Sequence, residues 1–175
     1  MPSEEPQDFS QYLLGQKHEL INLARSDEVY QASLALLHQA QRSVIVVSRN
    51  LDPRLYNNSE FTTAVRQFSL RSRHARLRIL VRDSSPAVKS GHRLIELSQR
   101  LSSFIEVRVP DKQHSNYNSA LMVVDNTGYL FRDQADMYTA QCSFADRIYS
   151  REISRKFDDM WDNALPDINL RRMLM

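Results

Sequence analysis

The sequence is short of the residues on which several common chemistries depend. Glycine occurs three times in 175 residues, as Gly15, Gly91 and Gly128, no two of them close together. Loops that cradle phosphates need clustered glycines so that backbone N–H groups can approach the ligand; P-loop and dinucleotide-binding chemistry is therefore excluded. Cysteine occurs once, as Cys142, which rules out an internal disulfide and fits a reducing compartment. The five histidines (His18, His38, His74, His92, His114) include no helical pair at i, i+4 and have no cysteine partner. The residues thus offer no ready metal site, and neither metal nor cofactor is expected. No run approaches the ~20 apolar residues that span a bilayer. The opening stretch Met1–Asp8 is acidic and polar, the opposite of a signal peptide. A cytoplasmic location is the resulting expectation.

What is present is ordinary globular material: 42% hydrophobic and 25% charged residues with a net charge of +2. That is enough chain for one domain with a real core, and too weak a charge to imply a polyanionic partner by itself. Residues 1–26 read as a lead or arm, with residues 1 to about 8 as a disordered start and Ser10 to about Ala24 as an arm or short helix. A helix follows from Asp27 as its cap to about Gln41, with Val29, Ala32, Leu34, Leu36, Leu37 and Ala40 as its buried stripe. Val44–Ser48 is a short β-branched run of the kind found in strands covered on both faces. A helix over 59–72, a strand over 75–82, a loop at Asp83–Ala87, a helix over 91–102 and a strand over 104–109 come next. Then come a polar loop over 110–117, a hairpin around Asn126–Gly128, a short strand near 137–142, and a helix over 146–164 ended by Pro166. The domain is expected over 27–165, with 166–175 as a tail. This alternation predicts an α/β fold with a mainly parallel mixed sheet flanked by helices, a late hairpin and a C-terminal helix. Ligands of such sheets sit beyond the carboxyl ends of the strands, where Arg49, Asn50, Asp52 and Arg82 fall.

The most informative segment is Asn118-Ser-Ala120-Leu-Met-Val-Val-Asp125, followed by the turn Asn126-Thr-Gly128 and the strand Tyr129–Arg132. Strand, aspartate, tight turn and strand resemble the setting of the phospholipase D superfamily motif, which reads His, any residue, Lys, any four residues, Asp. Asp125 matches the aspartate, but Asn118 and Ala120 stand where that family has its histidine nucleophile and its phosphate-holding lysine. The Gly-Ser and Asn that often follow in the family are also missing, since the region reads Arg132-Asp-Gln-Ala135. No other register restores the motif. The residues two after each histidine are Leu20, Ala40, Arg76, Leu94 and Asn116, none of them lysine, and Val81 stands where an aspartate would be needed after His74. The closing Phe157-Asp-Asp-Met-Trp161 is similar to the aromatic pattern that ends many such modules. The resemblance spans roughly 27–165, and extends to uncharacterised bacterial proteins built on one degenerate module. It implies the fold of one phospholipase D-like module, a non-catalytic binding role, and a two-fold homodimer. Ala120 and Met122, which alternate with Asn118 on one strand face, are the expected dimer face.

Other clusters carry two readings each. From Phe61 to Arg82 there are six arginines, Arg66, Arg71, Arg73, Arg76, Arg78 and Arg82, and no acid. They read as solvated faces of a helix and a half-exposed strand, or as a polyanion site for nucleic acid or anionic lipid; the solvated reading is favoured. His114 is either an exposed loop residue or a substitute base in an unorthodox phosphodiesterase or nuclease built from His114, Asn118 and Asp125. Arg49, Asn50 and Asp52 either line a residual pocket or build the turn before Pro53. With Arg82, His114, Asn118 and Arg132 they make up the expected site for a phosphate-containing ligand. Asp125 itself is a residue that also commonly serves hairpin turns, and Cys142 reads as core.

Overall fold

The computed structural model describes residues 7–173, so most of the disordered start expected over 1–8 lies outside the described residues. One eight-stranded sheet organises the described residues. Its strands are β1 (Ile21–Leu23), β2 (Ser43–Ser48), β3 (Arg76–Val81), β4 (Ile105–Val109), β5 (Ala120–Val124), β6 (Gly128–Arg132), β7 (Ala140–Ser143) and β8 (Leu165–Pro166). Their spatial order is β1-β7-β6-β5-β2-β3-β4-β8. Only β2, β3 and β4 run parallel; the remaining pairings are antiparallel. The parallel share is smaller than the alternation of elements implies, because β5 returns beside β2 antiparallel and carries the hairpin with it.

The helices are α1 (Ser26–His38), α2 (Pro53–Tyr56), α3 (Ser59–Arg71), α4 (Ser85–Ser90), α5 (Arg93–Arg100), α6 (Arg147–Asp162) and α7 (Ile168–Met173). Strand alternation splits the core into two layers. Val44, Val46, Leu77, Ile79, Met122 and Val124 pack with the apolar stripes of α1, α3 and α5. Ile45, Val47, Leu80, Leu121 and Val123 face Ile153, Phe157, Met160 and Trp161 of α6. Both faces being covered explains why β2 and β5 are continuous apolar runs.

Local chemistry sets the element ends. Glu28, rather than Asp27, serves the start of α1: its Oε2 accepts the N–H groups of Ala24 and Arg25 at 2.8 and 3.0 Å. Asn58 caps α3, and Asp146 caps α6, through their side-chain oxygens. The β5–β6 turn puts Asp125 and Asn126 at φ 52° and 49°, a pair of left-handed residues matched to the twist of a hairpin. Gly128 is needed for close approach. A Cβ there would lie 2.7 Å from Leu14 Cδ1 and 2.8 Å from Leu36 Cδ2.

Three segments differ from expectation: α4 (Ser85–Ser90) is helical where a loop over Asp83–Ala87 is expected, and the two described chain ends are docked. Of the arm or short helix expected over 10–24, the structure has the arm: it makes turns and ends in β1, which pairs antiparallel with β7. Leu14 N–H donates to Gln39 Oε1, while Gln39 Nε2 donates to Tyr12 O, and Phe9 and Tyr12 stack on Phe144. The stretch after Pro166 is a docked element: β8 pairs with β4, and Asn169 Nδ2 donates to Ser84 Oγ at 3.1 Å.

Candidate functional site

The carboxyl ends of β2 and β3 and the start of β5 meet at one sheet edge, because β5 runs antiparallel to β2. There Arg82 Nη1 donates to Asn118 Oδ1 at 3.2 Å and to Tyr117 O at 3.4 Å. Two residues 36 apart in sequence are thus brought together. The turn after β2 is tight: Leu51 is fully buried at φ 58°, a region that branched or bulky residues seldom occupy. It is held from both sides. Ser48 Oγ accepts the Leu51 N–H at 2.9 Å, and His92 Nε2 bonds Leu51 O at 3.0 Å. His92 Nδ1 accepts the Leu94 N–H, so Nε2 carries the proton and the buried ring is neutral. Burial holds its pKa below the ordinary histidine value, against the opposing effect of the Leu51 bond.

The face of β5 that carries Ala120 is closed. Ala120 pairs directly across from Arg132 of β6, and both are buried. Arg132, 2% exposed, sends Nη1 to the carbonyls of Ala135 and Met137 at 3.2 and 3.0 Å. Its guanidinium lies over the Tyr138 ring at 5.7 Å. Ala135 N–H donates to Asn118 O at 2.7 Å, Ser119 Oγ to Asp133 O at 3.0 Å, and Tyr138 OH to Asp52 Oδ2 at 2.5 Å. The loop over 133–139 is therefore strapped across the start of β5. Arg132, expected to meet a ligand, instead clamps this loop, and Asp52 anchors it while capping α2 through Arg54 N–H.

Beside the strap lies a crevice of about 470 Å³ lined by Arg49, Asn50, Asp52, Asp83 and Asp136 among others. One arginine against three aspartates is the wrong balance for a phosphate. Asp83 is already engaged: the Ser85 hydroxyl and N–H hold its carboxyl below the usual range.

Asp125 is far from this edge. It follows β5 at the opposite end of the sheet, seven residues from Asn118, or roughly 20 Å at the rise of an extended chain. Its Oδ1 accepts the N–H groups of Arg42 and Ser43 at 2.8 and 2.9 Å, and its Oδ2 that of Gln41 at 2.9 Å. The carboxylate braces the entry to β2 and is unavailable to a site containing Asn118. His114 sits in a 3-10 turn, where Nδ1 contacts Asp111 Oδ1 at 2.7 Å. The sequence reading missed Asp111, although its position three residues before His114 is the spacing of such a local pair.

The arginines from 66 to 82 do not share a face. Arg71 donates to the carbonyl of Ala40 at the end of α1, at 2.6 Å. Arg78 points to the other layer, bridging to Asp158 at 3.2 Å over the Phe157 and Trp161 rings. Arg76 bonds the carbonyls of Arg73 and Ala75, and Arg73 Nε contacts His74. Arg66 faces a groove against α5. The two-fold interface expected through Ala120 and Met122 has no surface to use, since Met122 is 1% exposed beneath the α1 layer. Cys142 is buried, and burial pushes its thiol up to about 12. Among the described residues no cluster of three His, Cys, Asp or Glu could hold a metal, and no helix is long and apolar enough to cross a membrane.

Solved structures of the same fold come from two settings. The phospholipase D family member Nuc from Salmonella typhimurium matches with a TM-score of 0.58 and 10% identity, over 86% of this chain and 97% of that one. NucT from Helicobacter pylori gives 0.58 and 11%, over 86% and 99%. TrmBL2, an archaeal chromatin protein described with a novel mode of DNA binding, gives 0.59 and 15%, over 85% of this chain but only 54% of that one. At these identities the likeness is one of fold, and the fold is phospholipase D-like. No protein of curated function matches the sequence. A family model does, over residues 25–173, and by it the chain belongs to the family described as Domain of unknown function (DUF7931).

Proposed function

We propose that this protein is a non-catalytic phospholipase D-like module that works by binding rather than by turnover. The observation that carries this reading is the strap over 133–139, clamped by buried Arg132 across the strand where the family motif would present its lysine, beside an exposed Asn118 where it would present its nucleophile. Asn118 cannot attack phosphorus, and its carbonyl and amide groups are already bonded to Ala135 and Arg82. Asp125, the one motif position retained, works as a brace at the far end of the sheet. The loss of a covalent nucleophile removes the route that splits one hard step into two easier ones. That an archaeal chromatin protein shares the fold supports a binding role as one use of this scaffold.

One observation favours a second reading. His114 and Asp111 form a half-buried pair at 2.7 Å in the loop that leads into β5, and a positioned base of this kind contributes ~10²–10⁴-fold where it acts. Hydrolysis of an activated phosphodiester, followed between about pH 5 and 8 where histidine titrates, separates the two. The expected result is a rate equal to the buffer blank for wild type and His114→Ala alike. Turnover that disappears in His114→Ala would replace the binding reading with an enzyme built on that pair.

A further inference from the structure

We propose that the groove between α3 and α5 is a docking site for the sugar-phosphate backbone of a nucleic acid. It encloses about 420 Å³ and is lined by Arg66 of α3 and by Arg93 and Arg100 of α5. All three are exposed, and among the described residues none has an ion pair or a side-chain hydrogen bond. Arg78, Arg108 and Arg71, by contrast, are paired or folded onto carbonyls, and what sets Arg66, Arg93 and Arg100 apart from other exposed arginines is that they line one groove. These three are left unspent. Glu96 is the only acid lining the groove, so the groove carries a net +2, as much as the entire chain. Helix α6 offers a contrast in charge, because its Arg151, Arg155 and Lys156 are balanced by Glu152, Asp158 and Asp159.

The spacing selects the kind of anion. Arg93 and Arg100 are seven residues apart on one helix face, which sets them about 10 Å apart along the axis. That is too far for one phosphate to bridge and calls for separate phosphates of a chain. Arginine rather than lysine suits bidentate contact with phosphate oxygens, and Ser59 and Thr63 add hydroxyls to the α3 wall, the usual partners of backbone contacts. No aromatic side chain lines the groove, so it lacks the stacking platforms used for single-stranded bases. An insertion surface for membrane would need several exposed apolar groups; the groove lining contributes only buried Leu97. A duplex held by its backbone, without sequence preference, is the partner that this chemistry fits. The inference stands apart from the catalytic question, since the groove shares no lining residue with the crevice at the β2 edge.

The test is fluorescence anisotropy of the full chain with a labelled duplex, titrated between about 50 and 200 mM salt. Three phosphate contacts give a log–log slope of about −2.7, or about a 40-fold loss of affinity over that range. Replacing Arg66, Arg93 or Arg100 singly by Ala should each make the slope shallower by about 0.9, and the triple replacement should abolish binding. Arg151→Ala with Arg155→Ala on α6 should leave it unchanged. Because the three side chains are exposed and make no hydrogen bond or ion pair among the described residues, circular dichroism of each variant should match wild type. No saturable binding at the lower salt overturns the proposal, as does a slope unchanged in the single variants. Binding to phosphatidylserine vesicles without binding to duplex would make the groove a membrane site, and displacement of duplex by millimolar inorganic phosphate would make it a single-phosphate site.

Discussion

Asp125 offers the sharpest distinction between a motif residue kept for chemistry and one kept for structure. Its two carboxylate oxygens accept three backbone N–H groups, from Gln41, Arg42 and Ser43. Replacement by Ala deletes all three acceptors. Two of those donors are exposed and regain water, so the loss is taken at the low end, ~0.5–1 kcal/mol per bond or about 2 in all. Ala is also less suited than Asp to the left-handed backbone at φ 52°, which adds about 1 kcal/mol. The total is about 3 kcal/mol. Asp125→Asn keeps a residue that tolerates this conformation and one oxygen able to hold the Arg42 and Ser43 bonds, so its cost is about 1 kcal/mol. For a chain of this size each kcal/mol lowers Tm by about 2–4 °C. Thermal melts followed by circular dichroism should therefore place Ala about 6–12 °C below wild type and Asn about 2–4 °C below. A variant pair that melts like wild type, or an Asn variant as damaged as Ala, would refute the brace.

Three further outcomes follow from buried groups. His92 is held neutral below its ordinary pKa of 6.5, so the unfolded chain takes up a proton first and the stability is lost as pH falls below about 6.5; urea midpoints should drop from about pH 7 to 5, and His92→Asn, which can still cap α5, should flatten that drop. Met122→Glu places a carboxyl without a partner in the α1 layer and should cost more than ~4 kcal/mol, seen as loss of the cooperative melt; a folded variant with altered mass by light scattering would restore Met122 as an interface residue. Arg132→Met keeps bulk but frees the Ala135 and Met137 carbonyls, at about 1–3 kcal/mol, and hydrogen exchange should quicken in 133–139 ahead of the sheet.

Much of the fold could be read from local pattern. The β-branched runs of β2 and β5, the stripe of α1 and the spacing of α6 each announce their element, because burial on a known period constrains residue type. What could not be read was long-range. β1 is three residues whose pairing with β7 lies 117 or more positions away. The short α4 begins Ser-Pro, which suits a first helical turn as well as a loop. At the site, Asn118 and Arg82 were named separately, and only the antiparallel return of β5 beside β2 brings them together. Arg132 was expected to face a ligand; the reason it faces inward is its position opposite Ala120, where a small side chain leaves room for a guanidinium. The arginine run does not act together, as its favoured reading held, since a strand sends Arg78 to one face while the end of α3 turns Arg71 onto the end of α1. Arg93 and Arg100 lie outside that run and become partners of Arg66 only when α5 packs beside α3.

The claim that the strap closes the motif's lysine position is tested most directly by thiol labelling of Ala120→Cys. The native Cys142 is buried with a thiol pushed up to about 12, and so provides a silent internal reference; Asn118→Cys, on exposed backbone two residues earlier, provides the reactive control. The strap predicts that Cys at 120 reacts as slowly as Cys142, only as fast as the domain unfolds, while Cys at 118 reacts at once. Rapid labelling at 120 in the native protein would mean that the loop over 133–139 opens and exposes a reaction face, and would contradict the account.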